Sequence, residues 1–169
     1  LSLDIKIKSK DEINLICNFQ SHQNVILITE PLKRMSLDDF LFTKQVKSEN
    51  PLRIIILDQV TDPQNVGAII RSAYAFNMDG LALSQNNSPA ETTSLAKASS
   101  GALEKIKIIQ LSNMTREIKK LQKANFSIYG LSIRGDGSIL ELENEDGNIA
   151  IILGSEGKGL RRLTKENCD

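Results

Sequence analysis

An α/β fold, a mostly parallel sheet flanked by helices, is what this sequence predicts, and three observations predict it. Two continuous apolar runs, Leu52-Arg53-Ile54-Ile55-Ile56-Leu57-Asp58 and Ile149-Ala150-Ile151-Ile152-Leu153, have the β-branched character of strands buried on both faces. Between them, shorter apolar runs alternate with helical patterns. The second long run then empties into a glycine-rich loop, at the carboxyl end of a strand, where α/β proteins bind ligands.

Taken in order, residues 1–30 predict a short helix around Asp11 to Phe19 and a strand at Val25-Ile26-Leu27-Ile28. Residues 31–51, mixed and polar between Pro31 and Pro51, predict a linker. From Leu52 the pattern runs strand, helix, strand (Leu81-Ala82-Leu83), helix (Thr92 to Leu103), strand (Ile106-Lys107-Ile108-Ile109) and helix (Met114 to Lys123). Two further strands follow, at Ser127 to Leu131 and Ile149 to Leu153, joined through the turn-rich Arg134-Gly135-Asp136-Gly137-Ser138. The acidic block Glu141, Glu143, Glu145 and Asp146 is expected to face solvent.

The first long run leads into Thr61-Asp62-Pro63-Gln64-Asn65-Val66-Gly67. Asp62 suits an N-cap, and Pro63 suits the first helical position, where no amide donor is needed. Val66, Ile69, Ile70 and Ala73 then form an apolar helical stripe. Gly67 and Arg71 are four apart and share a face. Because helical side chains lean toward the N-terminus, Arg71 is expected to lie back over Gly67, near Asn65 and the free amides that attract anions. Its forked guanidinium suits phosphate, although a solvated surface arginine is the plainer alternative.

The second run leads into Gly154-Ser155-Glu156-Gly157-Lys158-Gly159. Three glycines in six residues let main chain come close to a small ligand, with Glu156 as the one carboxylate among them. A phosphate-cradling P-loop is excluded because Leu160-Arg161 stands where Lys and Ser or Thr are required, and the dinucleotide fingerprint fails at Arg162. A glycine turn without a ligand stays open as the alternative. If the next segment is helical, Lys158, Arg161, Arg162 and Lys165 share one face, as a phosphate-contacting patch or as a solvated charged stripe.

Composition narrows the classes. Twenty-one basic and 21 acidic residues cancel, so any contact with nucleic acid has to come from a local patch rather than from overall charge. No apolar run reaches the roughly 18 residues of a membrane span, and charges at Asp4, Lys6, Lys8 and Lys10 interrupt any signal-peptide pattern. A cytoplasmic protein without membrane contact is expected. Cys17 and Cys168 are too few for a disulfide framework, and with the single His22 they predict no metal site.

Asn65-Val66-Gly67-Ala68-Ile69-Ile70-Arg71-Ser72-Ala73 and Leu153-Gly154-Ser155-Glu156-Gly157-Lys158-Gly159-Leu160 resemble the first and second motifs of the SpoU family, RNA ribose 2′-O-methyltransferases of the SPOUT superfamily. Leu57 to Pro63, Lys97 to Ala102 and Arg161 to Asp169 support the likeness, which spans 52–169. The resemblance implies a SPOUT α/β-knot fold, S-adenosylmethionine as methyl donor, a homodimer with sites at the subunit interface, and transfer to a ribose hydroxyl of RNA. It implies catalytic roles for Asn65, Arg71 and Glu156, and donor contacts at Gly154 and, by position, at Leu131 and Ser132. Ser155, Gly157 and Gly159 belong to the same loop. It also implies a third motif beyond Asp169, so that 52–169 is expected to be a methyltransferase domain lacking its C-terminal segment and an incomplete knot. Residues 1–30 resemble the end of an N-terminal RNA-binding domain. The His22-Gln23 and Arg161-to-Asp169 stretches resemble the ribosomal-RNA guanosine branch more than the transfer-RNA branch. An RNA-binding scaffold of the same fold, without methyl transfer, is the competing expectation.

Overall fold

The computed structural model describes residues 4–20, 22–45, 50–85, 89, 91–133, 135 and 137–169. The chain divides into two compact units, Leu1–Pro31 and Leu32–Asp169.

In the first unit, α1 (Lys10–Ile16) begins with a capping box. The Ser9 hydroxyl accepts from the Glu12 amide, and the Glu12 carboxylate accepts from the Ser9 amide. Lys8 pairs with the same carboxylate at 2.9 Å, and together these contacts hold Glu12 down at about 2. The strand expected at Val25 to Ile28 does not form. Val25, Leu27 and Ile28 are exposed, and among the described residues no strand pairs with them, so their backbone stays irregular.

The second unit holds β1 (Met35–Ser36), α2 (Leu37–Gln45), β2 (Arg53–Asp58), α3 (Pro63–Ala75), β3 (Gly80–Ser84), α4 (Thr93–Ser99), β4 (Ile108–Leu111), α5 (Met114–Lys123), β5 (Phe126–Gly130), β6 (Asn148–Gly154) and α6 (Arg162–Lys165). All six strands are parallel, in the order β1-β4-β3-β2-β6-β5. The segment 31–51, expected as a linker, instead carries β1 and α2. Met35 pairs with Ile109, and Leu37 and Phe40 are buried in the core. Its sequence looked polar because only one face of this short helix meets the sheet.

Alternation along β2 sorts its side chains to two cores. Ile54 and Ile56 pack with Phe40, Ile109, Ile118 and Ile128, whereas Ile55 and Leu57 pack with Val66, Ile70, Leu83 and Leu95. Each fully buried isoleucine contributes about 2–3 kcal/mol. Burial on both faces is why these runs read as continuous rather than alternating. The helix expected from Thr92 to Leu103 stops at Ser99, because Ser100 and Gly101 take positive φ of 50° and 83°.

The sheet has one reversal of direction that matters for function. From β2 the chain winds outward through β3 and β4, then returns by α5 to the opposite edge at β5 before inserting β6 beside β2. The crevice between β2 and β6 is therefore a topological switch point, the place where open α/β sheets bind ligands.

Candidate functional site

Register brings the two motifs together. Asp58, the last residue of β2, lies opposite Gly154, the last residue of β6, so the loops leaving both strands start side by side. Asp62 caps α3 as expected, accepting from the Gln64 amide at 2.9 Å, with Pro63 at the first turn. This places Asn65 in the first turn of α3. Its Nδ2 donates to Oε1 of Glu156 at 2.9 Å, directly linking the first motif to the second. On the other side, Gly130 at the end of β5 pairs with Ile152, and the Leu131 amide donates to the Ile152 carbonyl at 2.9 Å. Leu131 and Ser132 therefore emerge next to the glycine loop, both exposed.

The glycines have reasons of their own. A Cβ on Gly154 would be driven into the backbone of Gly159 and Leu160, because the loop folds back across its own start. Its closure is a bridge between Ser155 and Gly159, with the Gly159 amide donating to the Ser155 carbonyl at 2.8 Å. Gly157 and Gly159 have φ of +79° and +65°, which side-chain-bearing residues rarely adopt. The loop is thus a self-closed turn that lifts Glu156 and Lys158 into solvent.

Behind it, Asp58 is fully buried and accepts from the Arg161 amide at 3.0 Å and from Arg161 Nε at 2.7 Å. That pair ties the exit of the glycine loop to the end of β2. It also corrects the expected four-cation face. Only Arg162–Lys165 is helical, Arg161 precedes it in extended conformation, and Lys158 sits in the turn. Arg161 turns inward because a buried carboxylate left alone would be costly. Arg162 pairs with Glu166 yet stays exposed, as do Lys158 and Lys165. Asp58 is the residue that sequence reasoning missed. Its signal, a carboxylate closing an apolar strand run, was present but gave no hint of a partner a hundred residues on.

Arg71 is exposed and makes no hydrogen bond or ion pair among the described residues. It does not lie over bare backbone at Gly67. That surface is covered by α4, where a Cβ on Gly67 would stand 2.6 Å from Ala98 Cβ and 2.8 Å from the Leu95 carbonyl. The glycine exists for close helix packing. Asn65 and Arg71, six residues apart, are turned about 120° from each other around α3. Asn65 and Glu156 are joined within one chain, and Arg71 stands on the α4 flank.

The closing segment packs over β5. Leu160 and Cys168 crowd Gly130, and Asp169 pairs with Ile128 through both its amide (2.8 Å) and its carboxylate (2.7 Å). Burial, and then the charges of Asp169 and Asp58, push the Cys168 thiol upward. Two parts of the β5–β6 connection depart from expectation or escape description. Glu145, expected in solvent, is half-buried and accepts from the Tyr129 hydroxyl at 3.0 Å. Arg134 and Asp136, and the side chains of Glu141 and Glu143, lie outside the described residues. No helix among the described residues is long and apolar enough to cross a membrane.

A parallel α/β sheet whose loops after β2 and β6 gather at a topological switch point defines an α/β domain with a ligand crevice between those two strand ends. The chain belongs to the SpoU rRNA Methylase family, whose profile matches residues 52–169. It is 36% identical over 169 residues to the 23S rRNA (guanosine-2'-O-)-methyltransferase RlmB of Coxiella burnetii, covering all of this chain and 66% of that one. It is 36% identical over 149 residues to an uncharacterized tRNA/rRNA methyltransferase of Mycolicibacterium vanbaalenii, covering 88% and 46%. The chain thus spans less than two thirds of the length of these curated relatives. The SpoU methyltransferase AviRb of Streptomyces viridochromogenes, solved in complex with AdoMet, superposes with a TM-score of 0.66 at 19% identity, over 82% of this chain and 51% of that one. The AdoMet-bound rRNA methyltransferase of Sinorhizobium meliloti gives 0.65 at 22%, over 80% and 49%. The fold is that of the SpoU methyltransferases.

Proposed function

We propose that this protein transfers a methyl group from S-adenosylmethionine to a ribose 2′-hydroxyl of RNA, a guanosine of large-subunit ribosomal RNA in the first instance. The observation that carries this reading is the 2.9 Å contact between Asn65 and Glu156, which unites the two family motifs at the switch point. The kinship with a 23S rRNA enzyme supports the choice of RNA.

The residues at the β5 and β6 ends fit the donor. Leu131 offers apolar surface, 38% exposed, beside the backbone of Ser132 and Gly154, and such a mixture of apolar surface with a few polar groups suits an adenosine moiety. When bound, S-adenosylmethionine supplies an electrophilic methyl group. The chain supplies position. A ribose hydroxyl is a weak nucleophile, and correct placement alone is worth about 7–11 kcal/mol. Arginine does not lose its proton in proteins, so Arg71 is assigned to grip a substrate phosphate and fix the hydroxyl, rather than to act as base. Asn65 and Glu156 hold the acceptor side of the site, while Ser155, Gly157 and Gly159 shape the loop. Lys158 and Lys165, with Arg162 and the outer edge of Arg161, contact RNA phosphates. A homodimer accounts for the separation of Arg71 from the Asn65–Glu156 pair, by bringing Arg71 of one subunit to the loop of the other. Residues 1–30 contribute to holding RNA, and the protein works in the cytoplasm.

The test incubates the full-length protein with methyl-labelled S-adenosylmethionine and either 23S ribosomal RNA or transfer RNA lacking modification. Label in a ribose of ribosomal RNA is the expected result. Label in transfer RNA alone would move the substrate. Binding of RNA without label in either would favour the scaffold.

A further inference from the structure

At the far end of the same sheet edge lies an open cleft of about 330 Å³. It is built on the carboxyl ends of β1, β3 and β4 and on the first turns of α5, with β4 two strand spacings, or about 10 Å, from β2 at the edge of the β2–β6 crevice. Its charges are already satisfied. Arg34 pairs with Glu91 at 3.4 Å. Glu117, 4% exposed, takes Arg116 and Lys120 at 3.2 Å each, and Lys120 also reaches Asp38 at 2.7 Å. Both partners, Asp38 first, raise the Lys120 ammonium above its ordinary value. A free phosphate would therefore find three cations each committed to a carboxylate.

What the cleft does offer is amides. Gln85, exposed after β3, and Gln110, half-buried in β4, make no side-chain hydrogen bond among the described residues. The Gln85 backbone is itself anchored, its amide donating to the Leu111 carbonyl at 2.8 Å, so this side chain stands on a fixed support. Glutamine amides pair in a two-pronged way with base edges, and guanidinium planes such as that of Arg116 stack on bases. We propose that this cleft reads one unpaired nucleobase of the RNA substrate, a few nucleotides from the methylated ribose, and that Gln85 and Gln110 determine which base is accepted. The inference rests on the methyltransferase reading, since it takes the bound strand to run along the carboxyl edge of the sheet.

Fluorescence anisotropy with single-stranded oligo(A), oligo(C) and oligo(U) dodecamers tests it. The wild type is expected to rank the three over about tenfold or more in affinity. In the Gln85→Ala/Gln110→Ala double variant the three should converge to within about twofold, because phosphate contacts carry no base information. Calorimetric binding of S-adenosylmethionine should be unchanged. The single variant Gln85→Ala, at an exposed position, should narrow the ranking without touching the fold. Methyl transfer by a wild type with no ranking, or a ranking that survives both variants, overturns the base-reading cleft and leaves the methyltransferase reading standing. A wild type that neither binds RNA nor transfers methyl overturns both.

Discussion

Asn65 and Glu156, separated by 91 residues, are hydrogen-bonded at 2.9 Å. The contact exists because β2 and β6 are parallel neighbours that end level with each other, so the helix after one strand and the glycine loop after the other share a single crevice. In a double-mutant cycle with Asn65→Ala and Glu156→Gln, the expected coupling is about 0.5–1 kcal/mol in stability, as for a partly exposed hydrogen bond. Coupling in methyl-transfer rate should be larger, because both groups are assigned to the same substrate. Urea midpoints and turnover on the four proteins check both halves.

Arg71→Lys separates chemistry from folding. The side chain is exposed and unpaired among the described residues, so the urea midpoint should stay within about 0.5 kcal/mol of wild type. Turnover should fall about a hundredfold, since a point charge does not replace a forked grip on phosphate. Near-native turnover would remove Arg71 from the assigned role.

Asp58→Asn should loosen the glycine loop from behind. The substitution leaves Arg161, whose side chain is 42% exposed and able to reach water, so the expected loss is about 2 kcal/mol rather than the larger penalty of a fully stranded charge. Hydrogen exchange at Gly159 to Arg161 should speed up, while β3 and β4 keep their protection.

The loop glycines should differ in their response. Gly154→Ala forces a methyl into the backbone of Gly159 and Leu160, so it should cost more than about 2 kcal/mol or prevent folding of the loop. Gly157→Ala meets nothing within 4 Å and suffers only its positive φ, so about 1–2 kcal/mol is expected. Equal losses would show that crowding is not what requires Gly154.

Acid should act locally on the first unit. Glu12 is lowered from 4.5 to about 2 by its hydrogen bond with Lys8, the Ser9 amide and hydroxyl, and the Lys8 charge. A carboxylate depressed on folding contributes its stabilisation above the unfolded value and loses it as pH falls toward the folded one. Helicity of α1 should therefore hold above about pH 4.5 and decline toward pH 2, a window read from the Glu12 carboxyl carbon by NMR. In Ser9→Ala the midpoint should move upward.

Much was legible before any tertiary contact was known. Continuous β-branched runs specified strands buried on both faces, Asp62 and Pro63 specified the start of α3, and two motifs specified the family. These features are local, set by backbone geometry and capping that depend on near neighbours. Partners were not legible. Val25 to Ile28 has the composition of a strand but no neighbouring strand among the described residues. The polar-looking 31–51 segment gained β1 and α2 because the edge of β4 was there to receive them. Gly67 is glycine because α4 approaches it, and Arg161 left a basic stripe to answer Asp58. In each case the deciding atom lies tens of residues away, brought near by the order in which six parallel strands assemble, and no local pattern encodes that order.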